Sequence, residues 1–388
     1  MTKSHESDHE TDGLIFVFIL VLISIVLLWD KHVKIVSSSV FAMGLGMMIS
    51  IMWKSAMNAP FEFAPEMFLY LMLPPILLHS SLKFKMASLR KNWLASLSFA
   101  TLGTMLSMLW IAWGIMVWTR GTPLEMSLPS ALAFASVLAP TDTVATMAMT
   151  RDMTYSDQYI FEVLENESVM NDALSVVLVR LFGSLSSEMD RWVPLEIAGY
   201  SVLSSIVSIF FGWFVAHSMN TYKVTSLTNH YLVSLLVYGC CESINVSGIL
   251  GLFVYGSVIS PPKEFEASIA SFSNIVEAYV YLTLGLAFHS YDWTFFGVSM
   301  LVFLSCIVGR VLMVFSIGSC LNMFEKKWHV RSLLFFSMCG VRGAISYALC
   351  MSMDSGFMKS TTFLVIVCTT FLFGTLQKCL FRMLLEGI

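Results

Sequence analysis

Charged side chains are scarce in this sequence. Asp, Glu, Lys and Arg together make up 12% of its 388 residues, whereas soluble domains usually carry about 25%. Hydrophobic residues make up 57% of the chain, and its mean hydropathy is +0.76. This balance excludes a soluble protein that merely carries a few polar loops. It predicts an all-α polytopic membrane protein without room for a large soluble domain.

The sequence also lacks clear signals of a metal-binding cysteine cluster or of a serine nucleophile. Its eight cysteines lie within apolar runs and show no metal-ligand spacing, so we interpret them as small buried hydrophobic residues. No Gly-x-Ser-x-Gly pattern occurs, which disfavours an intramembrane hydrolase. We therefore expect no enzymatic activity, no cofactor and no nucleic-acid partner.

Apolar stretches of spanning or near-spanning length follow one another along the chain. A division at charge clusters and at Pro/Gly clusters predicts thirteen transmembrane segments. The predicted segments are 14–29, 33–53, 66–82, 92–118, 128–150, 158–183, 194–218, 229–241, 244–260, 273–290, 295–320, 331–353 and 360–377. The stretch CESINV (241–246) either separates two short helices or interrupts one.

The two chain ends are more polar than the segments between them. Residues 1–12, MTKSHESDHETD, are rich in acid and predict a short disordered tail rather than a cleaved signal peptide. Residues 13–378 form the predicted membrane domain, and residues 379–388 form a short cytosolic tail. With the N-terminus outside the cytosol, 14 Lys and Arg fall on cytosolic loops or this tail and 5 fall on outer loops. That asymmetry predicts an extracytosolic N-terminus and a cytosolic C-terminus.

The stretch LAPTDTVATM (138–147) places polar residues in the middle of an apolar segment. Pro140 removes a backbone donor, and Thr141 and Asp142 offer a hydroxyl and a carboxylate to the freed backbone. A helix that is only kinked by proline is the simpler alternative. The combination favours a broken helix whose exposed oxygens line a cation pathway.

The stretch NESVMNDALS (166–175) carries two further carboxylates in apolar surroundings. Glu167 and Asn171 share one helix face, and Asp172 lies about 100° round from Asn171. A carboxylate within the membrane is costly and is generally functional. Asp172 is predicted to bind either a cation or a proton. The alternative is a buried Asp that only links helices by hydrogen bonds.

Arg180, Arg310 and Arg342 lie inside the predicted spans or at their ends, and the last two bear on the site. Arg310 lies deep in the segment 295–320 and needs an anion, for which Glu167 is the most economical partner. Arg342 lies in CGVRGAIS (339–346), where its long side chain is expected to extend to the membrane interface.

Four motifs, taken in order, resemble those of the sodium/proton exchangers of the monovalent cation/proton antiporter superfamily. LMLPPILL (71–78) is similar to the Leu-Pro-Pro-Ile signature of that family, and LAPTDTVA (138–145) is similar to Ala-Pro-Thr-Asp-Pro-Val-Ala. NESVMNDA (166–173) resembles Gly-Glu-Ser-Leu-Leu-Asn-Asp-Ala, and GVRGAISYAL (340–349) resembles Gly-Leu-Arg-Gly-Ala-Ile-Ala-Phe-Ser-Leu. Thr143 departs from the pattern, because it replaces the usual proline.

The resemblance implies roles for the site residues. Asp172 would be the ion- and proton-binding carboxylate, and also the ligand of the transported Na⁺ or K⁺, with Asn171 as its partner. The family's Asn-Asp pair implies electroneutral, one-for-one exchange. Thr141 and Asp142 would lie where two broken helices cross.

The remaining implied roles are structural. Glu167 and Arg310 would form a structural ion pair, and Arg342 and Ser168 would support the site. With Asp172, Asn171, Asp142 and Thr141, these four residues make up the predicted site.

The resemblance also implies an architecture and a function. It implies inverted repeats, a six-helix core of segments 4–6 and 11–13 that moves like an elevator, and a homodimer. The function is exchange of Na⁺, K⁺ or Li⁺ for H⁺ by alternating access, across a plasma, endosomal or vacuolar membrane. The sequence does not select among the three cations or among these membranes. A cation channel and a non-transporting membrane scaffold remain the alternatives.

Overall fold

The computed structural model describes most of the chain, and helices are its main feature. The described residues are 19–28, 37–54, 68–84, 86–142, 158–187, 193–224, 226–325, 327–351, 353 and 355–384. Their regular elements are all helices, and these residues contain no strand. The all-α prediction is therefore confirmed.

Sixteen α-helices lie within these described ranges, some of them joined by short π or 3₁₀ turns. They are α1 (Ile19–Leu28), α2 (Ser38–Lys54), α3 (Leu73–Lys83), α4 (Met86–Lys91), α5 (Trp93–Leu97), α6 (Thr104–Thr119), α7 (Leu128–Leu138), α8 (Gln158–Ser187), α9 (Val193–Thr221), α10 (Leu227–Ser243), α11 (Gly248–Val258), α12 (Lys263–Leu286), α13 (Phe296–Asn322), α14 (Val330–Met338), α15 (Ala344–Met351) and α16 (Gly356–Leu384). A π-helix at Phe68–Met72 precedes α3, and a second at Ser98–Gly103 joins α5 to α6.

Six stretches of helix in the described part of the chain are long and apolar enough to cross a membrane. They are Trp93–Thr119, Gln158–Leu185, Val202–Thr221, Lys263–Leu286, Trp293–Asn322 and Gly356–Thr375. Ile19–Leu28, Ser38–Met52, Leu128–Leu138 and Gly248–Val258 are apolar but shorter. The chain is thus a multi-pass membrane protein, while the count of thirteen spans stays a prediction.

Two predicted boundaries differ from the observed ones. The helix α12 begins at Lys263, ten residues before the predicted segment 273–290, because Glu264 and Glu266 in its first turn suit the positive end of a helix dipole. The helix α16 continues to Leu384, so residues 379–384 of the predicted tail are helical.

The stretch CESINV separates two helices. The helix α10 ends at Ser243, and α11 begins at Gly248, with Asn245 between them at a φ of 58°. Ser247 caps α11, because its hydroxyl accepts a hydrogen bond from the backbone N–H of Leu250 at 3.3 Å. Of the two interpretations of this stretch, the structure supports two short helices.

The helices form two groups that pack mainly among themselves. The scaffold group consists of α2, α3 and α9–α12, in which α12 packs most extensively against α2. The core group consists of α5–α8 and α13–α16, in which α8 packs on α7 and α13 packs on α6 and α16. The core group corresponds to predicted segments 4–6 and 11–13. The implied six-helix core is therefore present as a packing unit.

Two apolar clusters occupy different levels of the core group. One contains Phe99, Ile160 and Phe336, and the other contains Phe134 and Val302. Glu167, Asn171 and Asp172 lie between these clusters along α8, and Arg310 lies between them along α13. The site described below is therefore enclosed by apolar packing along the helix axes.

The scaffold group depends on a close contact between α2 and α12. An ideal Cβ atom on Gly285 would lie against the carbonyl oxygen of Met43 and 2.9 Å from the Cα atom of Gly46. A Cβ atom on Gly46 would likewise meet backbone atoms of α12. Because the obstacles are backbone atoms, neither helix can accept a side chain here without moving apart from the other.

We expect Gly285→Ala to destabilise the scaffold group by about 1–3 kcal/mol, the usual cost of overpacking. The measurement is the thermal unfolding midpoint of purified protein in detergent. The matched control is Gly297→Ala on α13, where a Cβ atom meets nothing within 4 Å, and which we expect to leave the midpoint unchanged or slightly raised. Equal midpoints for the two variants would contradict the close contact.

Candidate ion-binding site

Two interruptions of helical structure meet inside the core group. The helix α7 ends at Leu138, and the backbone is non-helical from Ala139 to Asp142. The helices α14 and α15 are separated by residues 339–343, which are also non-helical. The N–H of Asp142 donates a hydrogen bond of 2.7 Å to the carbonyl of Val341. The two breaks therefore cross in direct backbone contact.

The first break is described only on one side. Residues 143–157, which contain Thr143, Thr146 and the rest of the predicted segment 128–150, lie outside the described residues. The second break is flanked by described helices on both sides. The predicted inverted repeat, which needs both halves of both helices, therefore stays a prediction.

Arg342 joins the two breaks, and the expectation that its side chain reaches the membrane interface is wrong. The residue is 1% exposed, and its Nη1 atom donates to the carbonyls of Ala139 and Pro140, both at 2.7 Å. The last carbonyls of α7 lose their helical partners at the break, and a buried cation at a helix C-terminus is favourable. The backbone N–H of Arg342 also donates to Thr369 of α16 at 3.2 Å.

The helix α8 is linked to the break by side-chain hydrogen bonds. Asn171 donates from Nδ2 to the hydroxyl of Thr141 at 3.2 Å, and Ser175 donates to the carbonyl of Ser136 at 2.5 Å. Asn171 is 1% exposed, and its Oδ1 atom has no hydrogen-bond partner among the described residues. A buried amide oxygen without a partner is costly, so this oxygen is available to a ligand.

Asp172 and Asp142 line one cavity between the core group and the scaffold group. Its volume is about 30 Å³, enough for about two water molecules. The core group contributes Pro140, Asp142, Ser168, Asp172, Gly343, Ile345 and Ser346, and the scaffold group contributes Ile76, Leu77, Ser80, Glu277 and Tyr281. Both carboxylates predicted at the site, together with Ser168, thus face a shared space.

The scaffold side contains two polar residues that were missed in the sequence. Tyr281 donates its hydroxyl hydrogen bond to Oδ2 of Asp142 at 3.3 Å, and Glu277 lies one turn before it on α12. The sequence did contain a signal for Glu277, because it is the one acidic residue in the predicted span 273–290. A charged side chain within the membrane is costly and needs a reason, and this argument applies to Glu277 as it does to Glu167.

The cavity has an acidic lining. Asp142, Asp172 and Glu277 all line it, and no Lys or Arg is among its lining residues in the described part of the chain. With little water to screen them, three carboxylates in so small a space repel one another. A bound cation or proton relieves this repulsion.

Glu167 and Arg310 form a bidentate ion pair away from the cavity lining. Arg310 Nη1 donates to Glu167 Oε1, and Arg310 Nη2 donates to Glu167 Oε2 at 3.0 Å. The side chains are 0% and 4% exposed for Glu167 and Arg310, respectively. Arg310 also lies 5.2 Å from the ring centre of Phe336 and donates to its carbonyl at 3.4 Å. The pair therefore connects α8, α13 and α14.

Comparison with known proteins identifies relatives of this chain. A family model described as "Sodium/hydrogen exchanger, transmembrane" matches residues 16–385. Sodium/hydrogen exchanger 1 of Dictyostelium discoideum is 25% identical over 417 aligned positions, which cover 97% of this chain and 61% of that protein. Sodium/hydrogen exchanger 8 of Homo sapiens is 25% identical over 413 positions, which cover 96% of this chain and 70% of that protein.

Solved structures agree with the fold. The sodium proton antiporter MjNhaP1 from Methanocaldococcus jannaschii, seen by electron microscopy, superposes with a TM-score of 0.76 at 19% identity, covering 98% of this chain and 99% of that one. A second structure of the same antiporter, at pH 8, has a TM-score of 0.69 at 18% identity and covers 95% and 98% of the two chains. At these identities the structural likeness concerns the fold, and the match of the family model over nearly the whole chain carries the assignment: the chain belongs to the sodium/hydrogen exchanger family.

Proposed function

We propose that the chain exchanges a monovalent cation, Na⁺ or alternatively K⁺ or Li⁺, for H⁺ across a membrane. The main observation behind this proposal is the cavity beside the crossing of the two breaks, which Asp172 and Asp142 line. The chain also belongs to the sodium/hydrogen exchanger family. The cation and the proton are the substrates, and the proposal requires no cofactor. The relatives bear the name sodium/hydrogen exchanger, which supports the same pair of ions.

Asp172 is proposed as the residue at which cation and proton compete. A single carboxylate can neutralise a cation or hold a proton, but a site that binds one releases the other. Asn171 precedes Asp172 on α8 and donates a hydrogen bond to Thr141. The unpartnered Oδ1 of Asn171 supports a role in replacing part of the ion's hydration shell. Asp142 and Ser168 complete the proposed set on the core side.

The supporting residues hold this arrangement in place. Arg342 binds the carbonyls at the first break, and the Glu167–Arg310 pair binds the neighbouring helices. The core group is proposed to move against the scaffold group, so that the cavity faces the two sides of the membrane in turn. The N-terminus is proposed to be extracytosolic, the chain to form a homodimer, and the membrane to be a plasma, endosomal or vacuolar one.

The central prediction is that Asp172→Asn abolishes exchange. Asparagine keeps the shape and much of the hydrogen bonding, but it can neither neutralise a cation nor titrate. The measurement is Na⁺-driven alkalinisation of proteoliposomes that contain the purified variant. The control Asp292→Asn makes the same chemical change at an exposed residue and should transport normally. Near-normal transport by Asp172→Asn would place the essential carboxylate elsewhere, with Asp142 as the next candidate.

A second prediction concerns charge balance. If one cation exchanges for one proton, no net charge crosses the membrane, so the rate should not respond to voltage. Proteoliposomes in which valinomycin and K⁺ gradients set the potential should show equal rates of Na⁺-driven proton movement at positive, zero and negative potentials. A cation channel would instead give proton movement that follows the imposed potential, and a non-transporting scaffold would give no Na⁺-driven proton movement.

A third prediction concerns the ion pair. Glu167→Gln leaves Arg310 as a buried charge without its counter-ion, which should cost about 3–5 kcal/mol. We expect a sharp loss of folded protein and a lower unfolding midpoint in detergent. Glu162→Gln removes a half-buried carboxylate from the same helix and should cost less. The double variant Glu167→Arg, Arg310→Glu should recover part of the loss. Wild-type stability of Glu167→Gln would contradict the structural role.

A further inference from the structure

The scaffold group presents a strip of polar side chains to the cavity. The strip consists of Ser273, Glu277 and Tyr281, which follow one another at four-residue intervals along α12 and so share one face of it. Glu277 and Tyr281 line the cavity. The helix α12 packs most extensively on α2, so these residues belong to the opposite group from Asp172.

Hydrogen bonds hold this polar strip in a defined orientation. Ser273 donates to Oε1 of Glu277 at 3.1 Å, and Tyr281 donates to Asp142 at 3.3 Å. A carboxylate can accept about four hydrogen bonds, and within the described part of the chain the bond from Ser273 leaves other acceptor positions of Glu277 open. The hydroxyl orients the carboxylate without neutralising it.

The charged groups around Glu277 come from three other elements. Asp142 at the first break and Asp172 on α8 line the same cavity, and Lys83 at the end of α3 interacts with Glu277 electrostatically. Two of these three neighbours are acidic residues. A purely structural carboxylate would be expected to face a tightly bound cationic partner, as Glu167 faces Arg310. Glu277 instead shares solvent-sized space with two other acids.

We propose that Glu277 is a cation-binding residue on the scaffold side of the pathway, which attracts the incoming cation and passes it across the interface to Asp172. This inference rests on the proposed exchange function. A carboxylate in a narrow cleft raises the local concentration of cations, and its place on the scaffold group lets the core residues move past it. Asn171, which precedes Asp172 on α8, has a buried Oδ1 atom without a partner among the described residues. This atom independently indicates a ligand on the core side of the pathway.

The test is Glu277→Gln, compared with wild type by initial rates of exchange in proteoliposomes at several Na⁺ concentrations. We expect the KM for Na⁺ to rise by at least about threefold, because the attracting charge is lost, while the maximal rate stays within about a factor of two. Glu277→Asp keeps the charge and should restore the KM to near the wild-type value. Ser273→Ala, which removes only the orienting hydroxyl, should raise the KM less than Glu277→Gln.

The matched control is Glu266→Gln, which removes the same charge from an exposed position of the same helix and should leave the KM unchanged. An unchanged KM in Glu277→Gln would overturn the proposal. An equal fall of the maximal rate in Glu277→Gln and Glu277→Asp would overturn it too, because that result indicates a structural role.

A binding measurement separates this inference from the function on which it rests. Titration of purified protein with NaCl in a calorimeter reports Na⁺ affinity without requiring transport. If the wild type does not exchange Na⁺ for H⁺, the proposed function fails, and the affinity still tests Glu277. Weaker Na⁺ binding by Glu277→Gln than by wild type supports the inference, and equal binding overturns it.

Discussion

The contact between the two helix breaks is the constraint on which the rest of the structure depends. Interrupting two helices inside a membrane frees backbone groups that lipid cannot satisfy. Here they satisfy one another, through the bond from Asp142 to Val341, and Arg342 binds the carbonyls of Ala139 and Pro140. Because these bonds fix the crossing, they also fix where Asp142 lies relative to α8. The proposed site is thus a consequence of how the breaks are stabilised.

Charges within the protein are distributed between two kinds of surroundings. Glu167 has its counter-ion in Arg310 and is fully enclosed, which suits a residue that holds helices together. Asp172 and Asp142 line a cavity that has no basic residue among its described lining. A carboxylate that is paired like Glu167 cannot exchange its counter-ion without destabilising the fold. A carboxylate that lines the cavity can exchange a bound cation or proton. This difference separates the structural acid from the acids that are proposed to bind ions.

The position of the cavity between two helix groups relates this chemistry to movement. The core group supplies the crossing and Asp172, and the scaffold group supplies Glu277 and Tyr281. The close glycine contact between α2 and α12 makes the scaffold side a tightly packed surface. A hydrogen bond such as that from Tyr281 to Asp142 spans the two groups, and it must break if one group slides along the other. Such bonds are weak enough to exchange with water at modest cost.

The sequence by itself determined the class of protein and the family, and it predicted most residues of the candidate site. Scarce charge and long apolar runs require a membrane fold, and the cost of burying Arg310 indicated a partner such as Glu167, with which the structure shows it paired. Two features were decided only by tertiary structure. Arg342 is buried at the crossing, because the carbonyls that it binds belong to the first break, about 200 residues away in the chain. Glu277 lines the same cavity as Asp172 because α12 packs beside the core group. Proximity of this kind depends on helix packing, which the local sequence pattern does not encode.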